Sequence, residues 1–519
     1  MRQKDTQFLI VGAGPAGLTA ACELARRGAR VRIVDALSGP SALPRAVLLW
    51  PPTLRVLDGL GLLAEARAAG TPLRRAVFHS AGRPVAPLDL TARGAPLVLR
   101  QPDTERLLAG ALARLGVAVE YGTRVTGVRQ RPDRVRALLL DRDGESAEAG
   151  AAWLIGADGM YSIVRRSLEI PFPGATLPVP YLLADGRLEG DADPLGAHYY
   201  TGPSGIVGVI PLPDGRFRVS GVLAPGSGEP SVRLAQELLD RRGPGGLRFA
   251  DPSWLTEFQV HRRLAARFRA GRVFLVGDAA HVNPPLGGQG LNLGVQDAHN
   301  LGWKLAAVQA GRAGDDLLES YAAERRRAAR AAVHATYISL NIWARTTLPA
   351  RRARDAAFDA LRITGLLDHV YEPVYSERRL RYPVGAATRA PDPGLCSIRA
   401  RARSLDGSGM RLSNALDAVA YQAFDAAEHR TILLTVFADG LPSLVRAAAR
   451  RAARDPESVV HRDAPRELID AAAGRFSDLR CRRPGFYLIR PDRIVAAHGH
   501  GDDLSSIGAL PAWDSKYHH

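Results

Sequence analysis

The sequence predicts an α/β protein: a parallel-sheet unit assembled from separated stretches of chain, an inserted, mostly antiparallel sheet, and a further α/β module at the end. Three observations carry that reading. The opening FLIVGAGPAGLTAACELARRGARVRIVDA has the pattern strand, glycine turn, helix, strand. Two later stretches, AAWLIGADGMYSIVRRSL (151–168) and RVFLVGDAAHVNPPLGGQGLN (272–292), again pass from an apolar strand through a glycine-bearing turn into a helix. Between them, from about 176 to 265, the pattern changes to short alternating runs such as GIVGVIPLPDGRFRVSGVLA, where PDG marks a hairpin turn.

Taken in order, Phe8 to Val11 forms the first strand, an Ala-rich helix follows, Gly28 stops it, and Val31 to Val34 forms a second strand ending in Asp35. Gly12, Gly14 and Gly17 thus stand between strand and helix with an acid about twenty positions on, the context of a Rossmann-like dinucleotide site. Glycines let the backbone close on a pyrophosphate at a helix N-terminus, and the Asp35 carboxylate accepts hydrogen bonds from a ribose diol. A Pro- and Arg-punctuated stretch (38–53) leads to a short helix over 54–70. LRQPDTERLLAGALARLG then reads as a helix capped by Asp103 or Thr104. In the 277–306 stretch, Leu291, Val295, Ala298, Leu301 and Leu305 keep helical spacing, so Gly287, Gly288 and Gly290 sit where the helix dipole is positive and favours an anion. Residues 315–370 read as Ala- and Arg-rich helices. A Pro/Gly-rich link (383–395) precedes a terminal module with strands TILLTVF and GFYLIRPDRIVAAHG around helical segments. The expected domains are 1–175 and 266–384, forming one nucleotide-binding unit, 176–265 as the inserted sheet, and 385–519.

The 519 residues exceed a single ordinary core, and 46% hydrophobic with 24% charged residues is a globular composition. No apolar run reaches membrane-span length and Gln7 to Gly12 is only strand-sized, so neither a membrane span nor a leader is expected and the cytoplasm is the expected compartment. The net charge of +16 comes almost wholly from arginine, the lysines being Lys4, Lys304 and Lys516. With no basic stripe carrying interleaved aromatics, the arginines read as solvated helix faces, and no nucleic-acid partner is expected. The charge favours anionic cofactors. Cys22, Cys396 and Cys481 are far apart and the histidines scattered, so reduced thiols and no metal site are expected.

The segments GAGPAG, LIGADGMYSIVR and VFLVGDAAHVNPPLGGQGLN resemble, in order and spacing across roughly the first 380 residues, the three signature segments of the class A FAD-dependent aromatic hydroxylases, the para-hydroxybenzoate hydroxylase-like family. The terminal module is similar to the thioredoxin-like domain of phenol hydroxylase and of many hydroxylases of aromatic polyketide biosynthesis, although it has no CxxC. The polyketide-tailoring branch is the nearest fit. The resemblance implies that Gly12, Gly14, Gly17 and Asp35 hold the ADP half of FAD. It implies that Asp278 binds the ribityl chain with Gly277 leaving room, and that the backbone of Gly287, Gly288, Gly290, Leu291 and Asn292 lies under the flavin ring. Asp158, Gly159 and Arg165 match a motif serving FAD and pyridine nucleotide. Arg45 matches an arginine beside the mobile flavin, and Gln101 a glutamine contacting FAD. The sequence departs from relatives at Trp50, Pro52 and Arg55 after Arg45, and at Met160 and Tyr161.

The resemblance further implies hydroxylation of a polycyclic, polyketide-type phenol with NADPH or NADH and O2, through a flavin C4a-hydroperoxide kept from water by the inserted sheet. Arg45 and Pro285 are the residues expected at the chemistry, Pro284 and Pro285 stiffening the loop at the reacting edge. His198, Tyr199, Tyr200, Trp254, Phe258 and His261 are candidates for pocket lining. A Baeyer–Villiger oxygenase acting on a polycyclic ketone, an antibiotic-modifying oxygenase and a non-catalytic flavin-binding module remain open alternatives. A halogenase is disfavoured because no WxWxIP is present. Oligomeric state is not legible.

Overall fold

In a computed structural model of the chain, the described residues are 6–367, apart from 92–93, 204, 225, 312 and 346, together with four strands, Thr431–Val436, Val459–Asp463, Gly485–Ile489 and Val495–His500. Residue contacts divide the chain into two units. One comprises Met1–Arg26, Arg30–Ala298 and Ala329–Ser376; the other comprises Arg27–Ala29, His299–Ala328 and Glu377–His519.

The fold is mixed α/β with parallel and antiparallel sheets. In the first unit, an eight-stranded sheet places Val273–Leu275 beside Ser146–Gly156, which lies beside Thr6–Val11, then Val31–Asp35 and Val119–Tyr121, each of these pairs parallel. Strands far apart in sequence are neighbours because each is an apolar run that must be buried on both faces, as Phe8 to Val11 and Val273 to Leu275 are. The Pro15–Ala25 helix covers this sheet. Gly14 is its extended N-cap and Pro15 opens its first turn, where a missing N–H costs nothing.

The second eight-stranded sheet contains the predicted insertion and more. Its strands are not all short: Gly174–Glu189 and Arg248–Leu264 run 16 and 17 residues and pair antiparallel with bulges. Asp185 and Gly186 lie inside the first of these strands. A Cβ on Gly186 would meet the Phe249 ring at 2.6 Å, so close packing explains the glycine. The sheet also takes Arg75–Ser80 and Arg83–Asp89 from the earlier chain, the former pairing parallel with Gly196–Gly202. One face of it packs on the Val232–Arg242 helix through Leu182, Val207, Val219, Leu234 and Leu238. The other contributes Phe78, Ala197, Ile206 and Leu212 to a core with Val47, Trp50, Leu286, Trp343 and Phe358.

Local expectations need two corrections. The helix expected over 54–70 is two helices, Pro51–Gly59 and Leu63–Ala69, broken at Gly61, whose φ of +72° a helix does not admit. The Gln101–Arg114 helix is not capped by Asp103 or Thr104: its N-cap is Arg100, and Pro102 pre-forms the first turn ahead of both candidates. The Ala/Arg-rich region forms Asp316–Trp343 and Leu348–Ile363.

In the second unit, Thr431–Val436 pairs parallel with Val459–Asp463 and antiparallel with Gly485–Ile489, which pairs antiparallel with Val495–His500. The Pro/Gly-rich link, the helical segments expected between these strands, Cys396 and Cys481 lie outside the described residues. Cys22 is free and buried. Among the described residues no helix is long and apolar enough to cross a membrane, and no cluster of three metal-ligating side chains occurs.

Candidate functional site

The three glycine-bearing turns fall at the C-terminal ends of three adjacent parallel strands, where ligands of open α/β sheets bind. They are also tied together: Ala157 N–H donates to Val11 O at 2.8 Å and Val276 N–H to Gly156 O at 3.0 Å. The three glycines of the first turn have separate causes. Gly12, at φ +103°, presses on the second turn, where a Cβ would lie 2.3 Å from Ala157 O, and a Cβ on Gly17 would lie 1.9 Å from Gly12 O. Around Gly14 nothing stands within 4 Å of that position, so its backbone faces open space at the helix N-terminus.

Asp35 lies at the end of its strand and holds this turn. Its Oδ2 accepts from Ala13 N–H at 2.6 Å and its Oδ1 from Leu37 N–H at 2.7 Å, leaving further lone pairs for a ribose diol. Beside it, buried Glu105 accepts from Gln101 Nε2 at 2.9 Å, while Gln101 Oε1 accepts from Ala46 N–H at 3.3 Å. Burial pushes the Glu105 carboxyl up, and the nearby Asp35 adds to this; the Gln101 hydrogen bond and the Arg45 charge oppose it. Gln101 therefore links the Arg45 segment to the Asp35 corner. Glu105 was not singled out by sequence, because a glutamate one turn into a helix looks like any solvated one.

Gly277, at φ +59°, opens a single 3-10 turn, and a Cβ there would meet Ala16 Cβ at 3.1 Å. Asp278 follows, exposed by its surface yet deep enough in the protein that burial raises its carboxyl, with His281 and Arg45 opposing. The two together fit a carboxylate that lines a cleft. Behind it, the fully buried His281 and Asp297 are 2.6 Å apart, and Asp297 Oδ2 also accepts from Gly277 N–H at 3.1 Å, bracing the turn. Pro285 O accepts from Gly288 N–H at 3.0 Å to form the bend that opens the Gln289–Gln309 helix, with Gly287 and Gly288 at φ +85° and +63°. Gly290 and Leu291 occupy its first turn, half-buried.

Asn292 is fully buried and its side chain is a staple. Its Oδ1 accepts from Trp50 N–H at 2.8 Å, and its Nδ2 donates to Leu48 O at 2.8 Å and Gly288 O at 2.7 Å. Trp50, one of the departures from relatives, donates its indole N–H to Gly287 O at 2.8 Å. In the second turn, Asp158 Oδ2 accepts from Val164 N–H at 3.1 Å, Gly159 adopts φ +75°, and burial raises the Asp158 carboxyl. Arg165 lies with its guanidinium 3.8 Å from the centre of the Phe172 ring. It donates to Met160 O at 2.7 Å and to Ala279 O at 2.8 Å, joining the second turn to the third. Tyr161 is 74% exposed.

Arg45 itself is exposed, but its backbone is clamped. Arg218 donates to Arg45 O at 2.7 Å and to Pro44 O, while pairing with Asp185 through bonds of 2.7 and 2.8 Å. Both partners are buried, and the Trp254 ring lies 5.4 Å from the guanidinium. This pair also escaped the sequence reading; a charge at an inward position of an alternating strand is its only trace. The pocket candidates separate by strand parity. Tyr199 faces the core shared with Trp50 and Leu286, whereas Tyr200 packs toward the opposite core. His198 shares that opposite side, 2.9 Å from His79 and 2.8 Å from Asp193. Phe258 packs on Tyr181 at 5.4 Å, and His261 lies 2.9 Å from Thr176 Oγ1.

Tight glycines, an open Gly14, a cleft carboxylate at Asp278 and a helix N-terminus behind a glycine bend together fit a bound dinucleotide, and so define a nucleotide-binding α/β protein. The chain belongs to the FAD binding domain family, whose model matches residues 5–336. It is similar to 6-methylpretetramide 4-monooxygenase of Streptomyces rimosus, 40% identical over 62% of this chain and 59% of that protein. It is similar also to rifampicin monooxygenase of Rhodococcus hoagii, 38% identical over 62% of this chain and 68% of that one. Among solved structures it resembles the flavin-dependent monooxygenase PieE in complex with FAD and substrate, with a TM-score of 0.80, 25% identity, and coverage of 99% of this chain and 100% of that one.

Proposed function

We propose that the chain is a single-component, NAD(P)H-dependent FAD monooxygenase that hydroxylates a polycyclic aromatic phenol of the polyketide type. The observation that carries this is the convergence of the three glycine turns on one sheet end, with the Arg45 segment clamped to the second sheet beside them. The names of the relatives, monooxygenases of pretetramide and rifampicin, support the substrate class.

When bound, FAD supplies hydride acceptance from NAD(P)H and activation of O2, so that one oxygen atom enters the phenol. The chain's residues supply placement. The open backbone at Gly14 and the helix N-terminus behind it receive the pyrophosphate, Asp35 the ribose, and Asp278 the ribityl hydroxyls. The N-terminus of the Gln289–Gln309 helix, which follows the Gly287-Gly288 bend, would favour negative charge on a flavin held beside it. Arg45 adds a positive side chain there, and Pro285 shapes the loop at the reacting edge. Asp158, Gly159 and Arg165 serve the second nucleotide-binding turn. Residues 1–175 and 266–384 form the FAD-binding domain, and 176–265 the core of the substrate domain, whose apolar face excludes water. Residues 385–519 form a thioredoxin-like domain. The order of its four described strands, second, first, third, fourth, with one parallel and two antiparallel pairings, supports that assignment.

The test is anaerobic stopped-flow reduction of the flavin by NADPH, with and without polycyclic phenols. Strong acceleration by one phenol is the expected result. No reduction under any condition overturns the proposal in favour of a binding module, and product NMR separates hydroxylation from ring oxygen insertion.

A further inference from the structure

A few residues beyond Arg45, Trp50 sets its side chain against the bend that opens the Gln289–Gln309 helix. Three carbonyls of that bend are held. Pro285 O accepts from Gly288 N–H at 3.0 Å, Gly287 O from the Trp50 indole N–H at 2.8 Å, and Gly288 O from Asn292 Nδ2 at 2.7 Å. Trp50 and Asn292 are both buried, and Trp50 belongs to the core that also contains Val47, Leu286 and Trp343. The oxygens of Gly287 and Gly288, the negative ends of their peptides, are therefore turned toward the interior.

A trans peptide points its N–H opposite to its C=O, so a bond that fixes the oxygen also fixes the positive end. Asn292 secures the Gly288 oxygen from the first turn of the helix itself. The peptide between Gly287 and Gly288 has only a distant partner to do this. It lies between two glycines at φ +85° and +63°, where no Cβ resists its rotation, and a Cβ at 288 would crowd Leu48 Cβ at 3.0 Å. Its N–H is tied to Pro285 O, and its oxygen to the Trp50 indole.

We infer that Trp50 is a positioning residue that sets how strongly the site prefers reduced over oxidised FAD, by keeping the Gly287 oxygen turned into the core. A peptide free to turn over would bring that oxygen to the Pro285 side of the bend, where its N–H now points. A carbonyl oxygen beside a flavin that has gained negative charge on reduction is unfavourable, whereas an N–H is favourable. The inference rests on the FAD monooxygenase reading and deepens it. Phenylalanine at this position would keep a ring in the core and lack the donor, so the hydrogen bond can be separated from the packing.

The experiment uses the full chain and measures the Kd of oxidised FAD and the midpoint potential of the bound flavin, which together give the affinity for reduced FAD. Trp50→Phe is expected to cut the preference for reduced FAD roughly two- to tenfold, the range that the net worth of one hydrogen bond implies. Reduced FAD is then held less well relative to oxidised, so the potential falls, by about 30 mV at the tenfold limit. Trp50→Met, which also lacks the donor but fills the core differently, is expected to do the same, and either variant suffices if the other does not fold. Phe358→Leu, which thins the same core and leaves the indole in place, should lower the Tm and leave the potential unchanged. An unchanged potential in the Trp50 variants, or a shift of the same size in Phe358→Leu, overturns the assignment and leaves Trp50 a packing residue. Those outcomes leave the monooxygenase reading standing; a wild-type chain that binds no FAD brings down that reading, and this inference with it.

Discussion

His79 shows how one side chain ties the fold to pH. It lies 2.9 Å from His198, which in turn lies 2.8 Å from Asp193, so a neutral pair of imidazoles can pass hydrogen bonds in one direction toward the carboxylate. Burial, with the neighbouring His198 adding to it, lowers the His79 pKa from 6.5 to about 4. The folded chain therefore binds fewer protons here than the unfolded chain between those values, and stability must fall as pH drops from about 6.5 to 4. Thermal unfolding across that window should show a shallower loss for His79→Gln than for wild type; parallel curves would refute the assignment. The site carboxylates run the other way. Burial raises Glu105, Asp158 and Asp278, so each disfavours the folded chain as pH rises through the carboxylate range, unless a ligand's hydroxyls or a cation compensate.

At the scale of elements, the Arg45 segment owes its position to neighbours distant in sequence. Asn292 staples Leu48 and Trp50 to the bend before its own helix, and Arg218 with Asp185 clamps Pro44 and Arg45 to the second sheet. Removing Arg218 leaves the Asp185 carboxylate buried without its cation. Arg218→Met is therefore expected to cost roughly 3 to 5 kcal/mol, measured by denaturant unfolding. Pairing it with Asp185→Leu should return part of that stability, since a buried ion pair replaced whole by apolar groups is often neutral. FAD retention should not recover in the double variant, because the clamp on the Pro44 and Arg45 carbonyls is still missing. Full recovery of FAD retention would show that the pair has no positioning role.

At the scale of the molecule, the dinucleotide crevice exists only when three strands from separate parts of the chain lie side by side, so its ligand should report on global stability. A ligand that binds only the folded chain adds roughly 2.7 kcal/mol at one hundred times its Kd. Excess FAD is expected to raise the Tm of the apo chain by degrees, and Gly14→Val, which fills the open position, should abolish the rise; an unchanged Tm with FAD would contradict the crevice. Much of this was legible in the sequence. Gly12, Gly14, Gly17, Asp35 and the Gly277-to-Asn292 turn stand out because local backbone requirements leave few residue types that satisfy them. Long-range partners were not legible: nothing in the residues beside Glu105, Asp185 and Arg218 tells that these charged side chains are buried. The sequence by itself determined the strand–turn–helix units and the glycines their turns demand, because those obey short-range sterics. Only the tertiary structure decided which charges are buried, on which side of the sheet Tyr199 lies and what holds Arg45, because burial and register depend on strands brought together from distant parts of the chain.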